Sequence, residues 1–220
     1  MKSLKKIWNA IFEKRYLSLT SALFFFLILP PFLGQLPILK YVILILYSII
    51  MLYCILIITG HTKANVFHIV FLVAMIMTWA DLNNLVLQQV HYMLVMVVYG
   101  TAAMKIITQL IKIEKVDEKA LLAAIGGYLL IGLSGSYLVA FIATIDGDAF
   151  NIPDVYSSRV YNYVYFSFVT LTTLGYGDFT PKTPQAQSIS ILISLVGQIY
   201  LTILMAILVG KYMLYYVKKT

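Results

Sequence analysis

The chain has 220 residues, of which 61% are hydrophobic and only 11% are charged. A soluble domain cannot bury so much apolar surface, so the composition excludes an ordinary water-soluble protein and predicts helices that span a bilayer. The formal net charge is +7, but the basic residues form no stripe interleaved with aromatic side chains. Nucleic acid is therefore not an expected partner.

The first predicted element, residues 1–15, is a basic amphipathic helix. Leu4, Ile7 and Ile11 share one helical face, whereas Lys2 and Lys5 lie elsewhere. This pattern predicts a helix that lies on an anionic lipid leaflet. A secretory signal peptide is disfavoured, because the apolar run that follows is long and has no small-residue cleavage site.

Six apolar segments follow, each about as long as a membrane-spanning helix requires. The first and third are marginal in length, and Pro30 and Pro31 are expected to end or kink the first. The single cysteine, Cys54, lies inside the second segment and is expected to be a buried small hydrophobic residue. The predicted spans are 16–33, 38–59, 64–80, 85–111, 120–145 and 185–217, with a charged linker at 112–119.

The basic residues predict the orientation of these spans. With the N-terminus in the cytoplasm, only Lys40, Arg159 and Lys182 face outside, Lys105 lies in the inner half of the fourth span, and all other lysines and arginines are cytoplasmic. This bias follows the positive-inside rule. We therefore expect a multi-pass protein of the plasma (cytoplasmic) membrane with both termini in the cytoplasm.

The stretch between the fifth and sixth spans differs from the rest of the chain. Residues 146–160 are polar and predict an external loop, whereas 161–172 are apolar and aromatic but too few to cross a bilayer. They fit a re-entrant helix. Irregular backbone after such a helix is tolerated at membrane depth only where it is buried in protein or lines a water-filled path.

Residues 170–178 follow this helix and read Thr-Leu-Thr-Thr-Leu-Gly-Tyr-Gly-Asp. A short strand whose successive carbonyls all point to one side can replace the water shell of a cation, but it needs residues in the left-handed region. Glycine adopts that region at little steric cost. Gly175 and Gly177 alternate with Leu174 and Tyr176, so the large side chains can point away from the carbonyls. Thr173 can add its hydroxyl as a further oxygen.

This motif resembles the selectivity filter of potassium channels, which reads Thr-Val-Gly-Tyr-Gly. Residues 121–216 are similar to the two-helix pore module of that family, and the whole chain resembles a prokaryotic-type six-transmembrane potassium channel. The resemblance implies an all-α homotetramer with a pore domain at 120–217, a turret at 146–160, a pore helix at 161–172 and a filter at 173–177. It implies that Thr173 to Gly177 are the ion-coordinating residues, with potassium ions at Thr173, Leu174, Gly175 and Tyr176. It implies no enzymatic activity and no other cofactor.

The same resemblance assigns residues that support the filter. Asp178 is expected to brace it from behind and to accept a hydrogen bond from Tyr165. Many family members carry a tryptophan at the position of Phe166, which cannot donate to Tyr176. Val169 takes the place of a glutamate found in some prokaryotic relatives. The expected supporting residues are Asp178, Tyr165, Thr170 and Thr172.

In the sixth span, Gly197 lies where the family has a hinge glycine. Close helix packing is an equally weighted alternative for this residue. The Asp residues predicted to lie outside would concentrate cations near the pore mouth. The residues expected to line the pore or form an inner gate are Gln198, Leu201, Met205, Val209 and Met213. For the four apolar ones, ordinary core packing is the alternative.

The first four spans, residues 16–111, have the layout of a voltage-sensor domain without its charges. A voltage-sensing fourth helix needs Arg or Lys at every third position, because each charge contributes only ~2.3 kcal/mol per 100 mV. Here that helix contains Lys105 and no arginine. We expect weak or no voltage dependence. His61 is a candidate pH sensor, whereas ordinary helical packing is expected for His68 and His91.

Three other functions are considered. A less selective monovalent cation channel of the same architecture usually lacks an intact Gly-Tyr-Gly. A secondary potassium transporter usually has several degenerate pore loops, and this chain has one. An intramembrane enzyme is not expected, because the sequence contains no matching catalytic motif. The gating stimulus stays open, so an unidentified regulatory ligand or subunit joins the lipid and the other copies of the chain as partners considered.

Overall fold

The computed structural model describes residues 15–33, 38–59, 66–80, 84–113, 116–151 and 159–217. Helices account for most of them. The predicted amphipathic helix at 1–15 and His61 lie outside the described residues, apart from Arg15. The elements are α1 (Arg15–Leu33), α2 (Ile38–Thr59), α3 (Val66–Trp79), α4 (Leu85–Lys112), α5 (Glu118–Ile145), β1 (Phe150–Asn151), α6 (Arg159–Leu171), β2 (Thr180–Pro181) and α7 (Pro184–Val217).

Five of the described helices, α1, α2, α4, α5 and α7, are long and apolar enough to cross a membrane. The remaining apolar helix, α3, has 14 residues. At 1.5 Å per residue it rises about 21 Å, less than the roughly 30 Å of a hydrocarbon core. The mostly helical membrane fold is confirmed, and the sixth crossing stays a prediction.

The helix bounds lie close to those predicted, because the polar breaks between apolar runs also contain the caps. The Asn84 side chain accepts hydrogen bonds from Val86 N at 2.9 Å and Leu87 N at 3.3 Å. Asp117 caps α5 by accepting from Ala120 N at 2.9 Å. These caps satisfy amide groups that a helix start leaves without partners. Pro30 does not end α1, which continues to Leu33.

Helix α4 runs antiparallel to both α1 and α5, as contacts near the helix ends show. Tyr16, near the start of α1, donates a hydrogen bond to Gln109, near the end of α4. Gln89, near the start of α4, donates to the Thr144 carbonyl at the end of α5 at 3.3 Å. Within one chain α4 packs along α5, α1 also contacts α5, and α5 in turn contacts α6 and α7. The first four helices therefore lie directly against the C-terminal helices of the same chain.

Two apolar cores hold this arrangement. The larger one joins the first four helices to α5, with Leu19, Met51 and Tyr99 fully buried. The smaller one surrounds α6 and includes Val139 and Leu171. Beside it, β1 and β2 pair antiparallel, with Phe150 opposite Pro181; the sequence did not predict this pairing. The smaller core and the strand pair together fix the two ends of the 172–179 segment.

Candidate functional site

Helix α6 is held by close contacts with α5. The Ser167 hydroxyl donates to the Gly132 carbonyl at 2.7 Å. The Phe168 ring fills the space that a Cβ atom on Gly132 would need, since its Cε1 atom would lie 2.6 Å from that Cβ. A Cβ atom on Gly135 would lie equally close to Ser167 Oγ. Small residues of α5 therefore allow α6 to pack closely against it.

The chain leaves α6 by folding back on the last turn of the helix. Thr173 N donates to the Thr170 carbonyl at 3.0 Å, and Leu174 N donates to the Val169 carbonyl, also at 3.0 Å. The Gly175 amide shares that second acceptor at 3.3 Å. The last carbonyls of a helix have no intrahelical partner, so these bonds both cap α6 and fix the start of the segment Thr173–Gly177, called the filter segment below.

The backbone of the filter segment alternates in handedness. Thr173 has φ 59°, Gly175 has φ 57° and Gly177 has φ 82°, whereas Leu174 and Tyr176 between them do not have positive φ. Such alternation can turn successive carbonyl groups toward the same side, which regular strands do not do. The sequence pointed to this geometry at the two glycines. It gave no sign that Thr173 would also be left-handed, a conformation that costs a non-glycine residue about 1–3 kcal/mol.

Asp178 follows the filter segment and is held on both carboxylate oxygens. The Tyr165 hydroxyl donates to Oδ2 at 2.6 Å, as expected from the sequence, and Phe179 N donates to Oδ1 at 3.0 Å. The Tyr165 and Phe179 rings meet edge to face at 4.9 Å. Phe166 is buried against Phe150, with ring centroids 5.2 Å apart. The side chain at position 166 therefore makes an apolar contact with another aromatic ring.

The two threonines predicted to support the filter differ in their contacts. The Thr172 hydroxyl donates to the Phe168 carbonyl at 2.7 Å and is exposed. Thr170 is partly buried and contributes its carbonyl to Thr173 N. The Thr173 hydroxyl itself donates to the Thr172 carbonyl at 2.7 Å. Together these bonds link the start of the filter segment to the last turn of α6.

Helix α7 reaches the start of the filter segment through Gln198, whose Nε2 donates to Thr173 Oγ1 at 3.3 Å. Farther along α7, three of the predicted pore-lining side chains are exposed in the single chain: Leu201 by 38%, Val209 by 52% and Met213 by 59%. The Met205 side chain lies outside the described part of the structure. The predicted positions thus lie along an uncovered side of α7.

The sequence did not predict a structural contact for Lys211, which served there only as one of the positive charges that indicate the orientation of the spans. Its ammonium donates to the carbonyls of Leu110 at 3.3 Å and Ile111 at 2.6 Å, and also to that of Ile113. These carbonyls are at the end of α4, where a cation is favourable for the helix dipole. Lys211 therefore joins the far end of α7 to the end of α4. Nothing in the local sequence marks this contact, which spans about a hundred residues of chain.

Comparison with known proteins locates a recognisable domain in this half of the chain. Residues 129–213 match the model of a family described as an ion channel. The matched stretch starts within α5 and includes α6, the filter segment and most of α7. The chain is thus a multi-pass helical membrane protein with an ion channel domain. Neither the curated proteins nor the solved structures give a match.

Among the described residues, no group of three or more His, Cys, Asp or Glu side chains is placed to hold a metal ion. Within the filter segment itself, the oxygens that can face a cation are those of the backbone and the hydroxyls of Thr173 and Tyr176. The filter segment concentrates such oxygens and follows directly on a helix C-terminus, whose dipole favours positive charge.

Proposed function

We propose that the protein is a channel that conducts potassium ions passively through a pore formed by four copies of the chain. The alternating handedness of Thr173, Gly175 and Gly177 carries this proposal. Carbonyls turned to one side of a strand can replace the hydration shell of potassium when several strands surround an axis. The ions would bind at Thr173, Leu174, Gly175 and Tyr176, with the Thr173 hydroxyl as an additional ligand.

The need for other copies follows from the environment of the filter segment. Leu174 and Tyr176 are 59% and 68% exposed in the single chain. Irregular backbone is not tolerated against lipid, so at membrane depth this segment has to be enclosed by protein. Only 18% of the apolar stretch with which α7 could span a membrane is buried, against 50% of the corresponding stretch of α5. Both observations favour a symmetric assembly in which α7 and the filter segment face the axis.

The direct test is the selectivity of the reconstituted protein. The purified chain is placed in a planar bilayer with potassium on one side and sodium on the other, and the reversal potential is measured. We expect a reversal potential far from zero, with the sign that a much higher permeability for potassium than for sodium produces. Equal permeation of sodium would instead favour a less selective cation channel of the same architecture. Flux as slow as a carrier's turnover would favour a secondary transporter.

Two glycine substitutions make this test specific for the filter segment. A Cβ atom at Gly175 or at Gly147 would meet nothing within 4 Å in the chain, but Gly175 has positive φ and Gly147 does not. Gly175→Ala should abolish potassium selectivity or conduction, because alanine is strained there. Gly147→Ala is the matched control and should conduct like the wild type. Unchanged selectivity in Gly175→Ala would contradict the proposal.

A further inference from the structure

A second feature is a cavity of about 340 Å³ between the first four helices and the ion channel domain. Such a volume is at the small end of the range for ligand pockets. Every helix except α7 contributes to its wall. The polar side chains that line it are Tyr47, Thr78, Gln88, His91, Tyr92, Tyr137 and Tyr161.

Two of these polar groups have no hydrogen-bond partner in the protein: the Tyr47 hydroxyl and the His91 Nδ1 atom. Their side chains are only 3% and 8% exposed. The hydroxyls of Thr78, Tyr137 and Tyr99 are near Tyr47 but make no bond to it of ordinary geometry. Buried polar groups are nearly always satisfied. Two buried polar groups without partners on the wall of one cavity therefore indicate that a molecule entering the cavity forms hydrogen bonds with them.

The wall defines the chemistry of that occupant. None of the described residues that line the cavity carries a fixed charge, so a neutral molecule is favoured. The rings of His91 and Tyr137 meet edge to face at 6.3 Å, and Tyr92 lies 6.0 Å from Tyr137. Such a cluster favours packing against another aromatic ring. The Tyr47 hydroxyl and an imidazole nitrogen can each donate or accept, which matches a ligand hydroxyl.

We propose that this cavity is a binding site for a small neutral phenol, with its hydroxyl between Tyr47 and His91 and its ring against the aromatic wall. The lining residues include Tyr161 and Val164 of α6. An occupant would therefore touch both the first four helices and the helix that carries the filter segment. Binding itself is independent of the proposed function; an influence of the ligand on conduction would rest on it.

The experiment measures binding directly, by fluorine NMR of 4-fluorophenol added to the full chain in lipid nanodiscs. Empty nanodiscs correct for partition into lipid, and fluorobenzene tests for the hydroxyl. We expect saturable broadening for 4-fluorophenol and weaker binding for fluorobenzene. Equal binding of both probes, or a signal no larger than in empty nanodiscs, would overturn the proposal; in the latter case water alone satisfies the cavity wall.

Matched variants locate the site. Tyr47→Phe removes one orphan hydroxyl and should weaken 4-fluorophenol binding by about two- to tenfold, the value of one hydrogen bond. His91→Leu should have a similar or larger effect. Tyr200→Phe is the control, because it also removes a buried tyrosine hydroxyl but at a residue that does not line the cavity. Wild-type affinity in both test variants, or an equal loss in Tyr200→Phe, would refute the assignment.

Discussion

Gly197 of α7 packs directly against the main chain of Leu171, the last residue of α6. A Cβ atom on Gly197 would overlap the Leu171 carbonyl oxygen and lie 2.9 Å from the Leu171 Cδ1 atom. Glycine at this position therefore lets α7 approach the base of the filter segment. The contact accounts for a glycine at 197 without bending of the helix, and the role of Gly197 as a gating hinge stays a prediction.

Alanine substitutions along α7 separate packing from hinging. Gly197→Ala should destabilise the protein by about 1–3 kcal/mol, because α6 and α7 must move apart to admit the methyl group. Gly210→Ala is the control, since a Cβ atom there meets nothing within 4 Å; it should be neutral or stabilising by up to about 1 kcal/mol. Thermal unfolding in detergent measures both. Wild-type stability of Gly197→Ala with altered opening kinetics would favour the hinge instead.

The hydrogen bond between Tyr165 and Asp178 should keep the filter segment in a conducting shape. Tyr165→Phe removes a donor 2.6 Å from Asp178 Oδ2 and should cost about 0.5–1.5 kcal/mol. We expect current that declines faster during prolonged opening, measured in patch recordings of reconstituted vesicles. Asp178→Asn keeps the oxygen that accepts from Phe179 N, and the two changes together should cost less than their sum. Strict additivity would show that the pair is not coupled.

The described helix bounds could be predicted from the sequence to within about two residues, since they depend on apolar runs and on capping residues beside them. Asn84 and Asp117 are such caps. The left-handed positions at Gly175 and Gly177 could also be anticipated, because glycine is the residue that adopts them readily. These features are local, so the nearby sequence contains their cause.

Features that depend on distant segments could not be predicted in the same way. Thr173 is left-handed because its amide and those after it bond to α6, although threonine itself disfavours that conformation. The contact of Lys211 with the end of α4 joins residues that are far apart in sequence. His91 was expected to pack as an ordinary helical residue, but its Nδ1 atom lies unpartnered on a cavity wall. In each case the cause is the approach of another helix.

The conductance of the protein should depend little on voltage. Helix α4 contains Lys105 and Lys112 as its basic residues, and Lys105 is exposed. Because each charge moved contributes only ~2.3 kcal/mol per 100 mV, these residues cannot produce a steep response. We expect a shallow conductance–voltage curve that is unchanged in Lys105→Gln. A slope equivalent to several gating charges per chain would refute this expectation.

Lys211 should couple the end of α7 to the first four helices. Replacing it with Gln removes a cation that donates to the carbonyls of Leu110 and Ile111, which should cost about 0.3–1 kcal/mol per chain. The described conformation would be disfavoured, so both the melting temperature and the open probability should change. Lys211→Arg should restore much of the effect, since it keeps the charge and its donors.

The matched control for Lys211 is Lys112→Gln, which neutralises an exposed lysine of the last turn of α4 on the same side of the membrane. Both changes remove one positive charge from the same region, so a general effect of surface charge would appear in both variants. An effect confined to Lys211→Gln would identify the contact with the α4 carbonyls as its cause. Equal open probabilities in the two variants would show that α7 opens and closes without this contact.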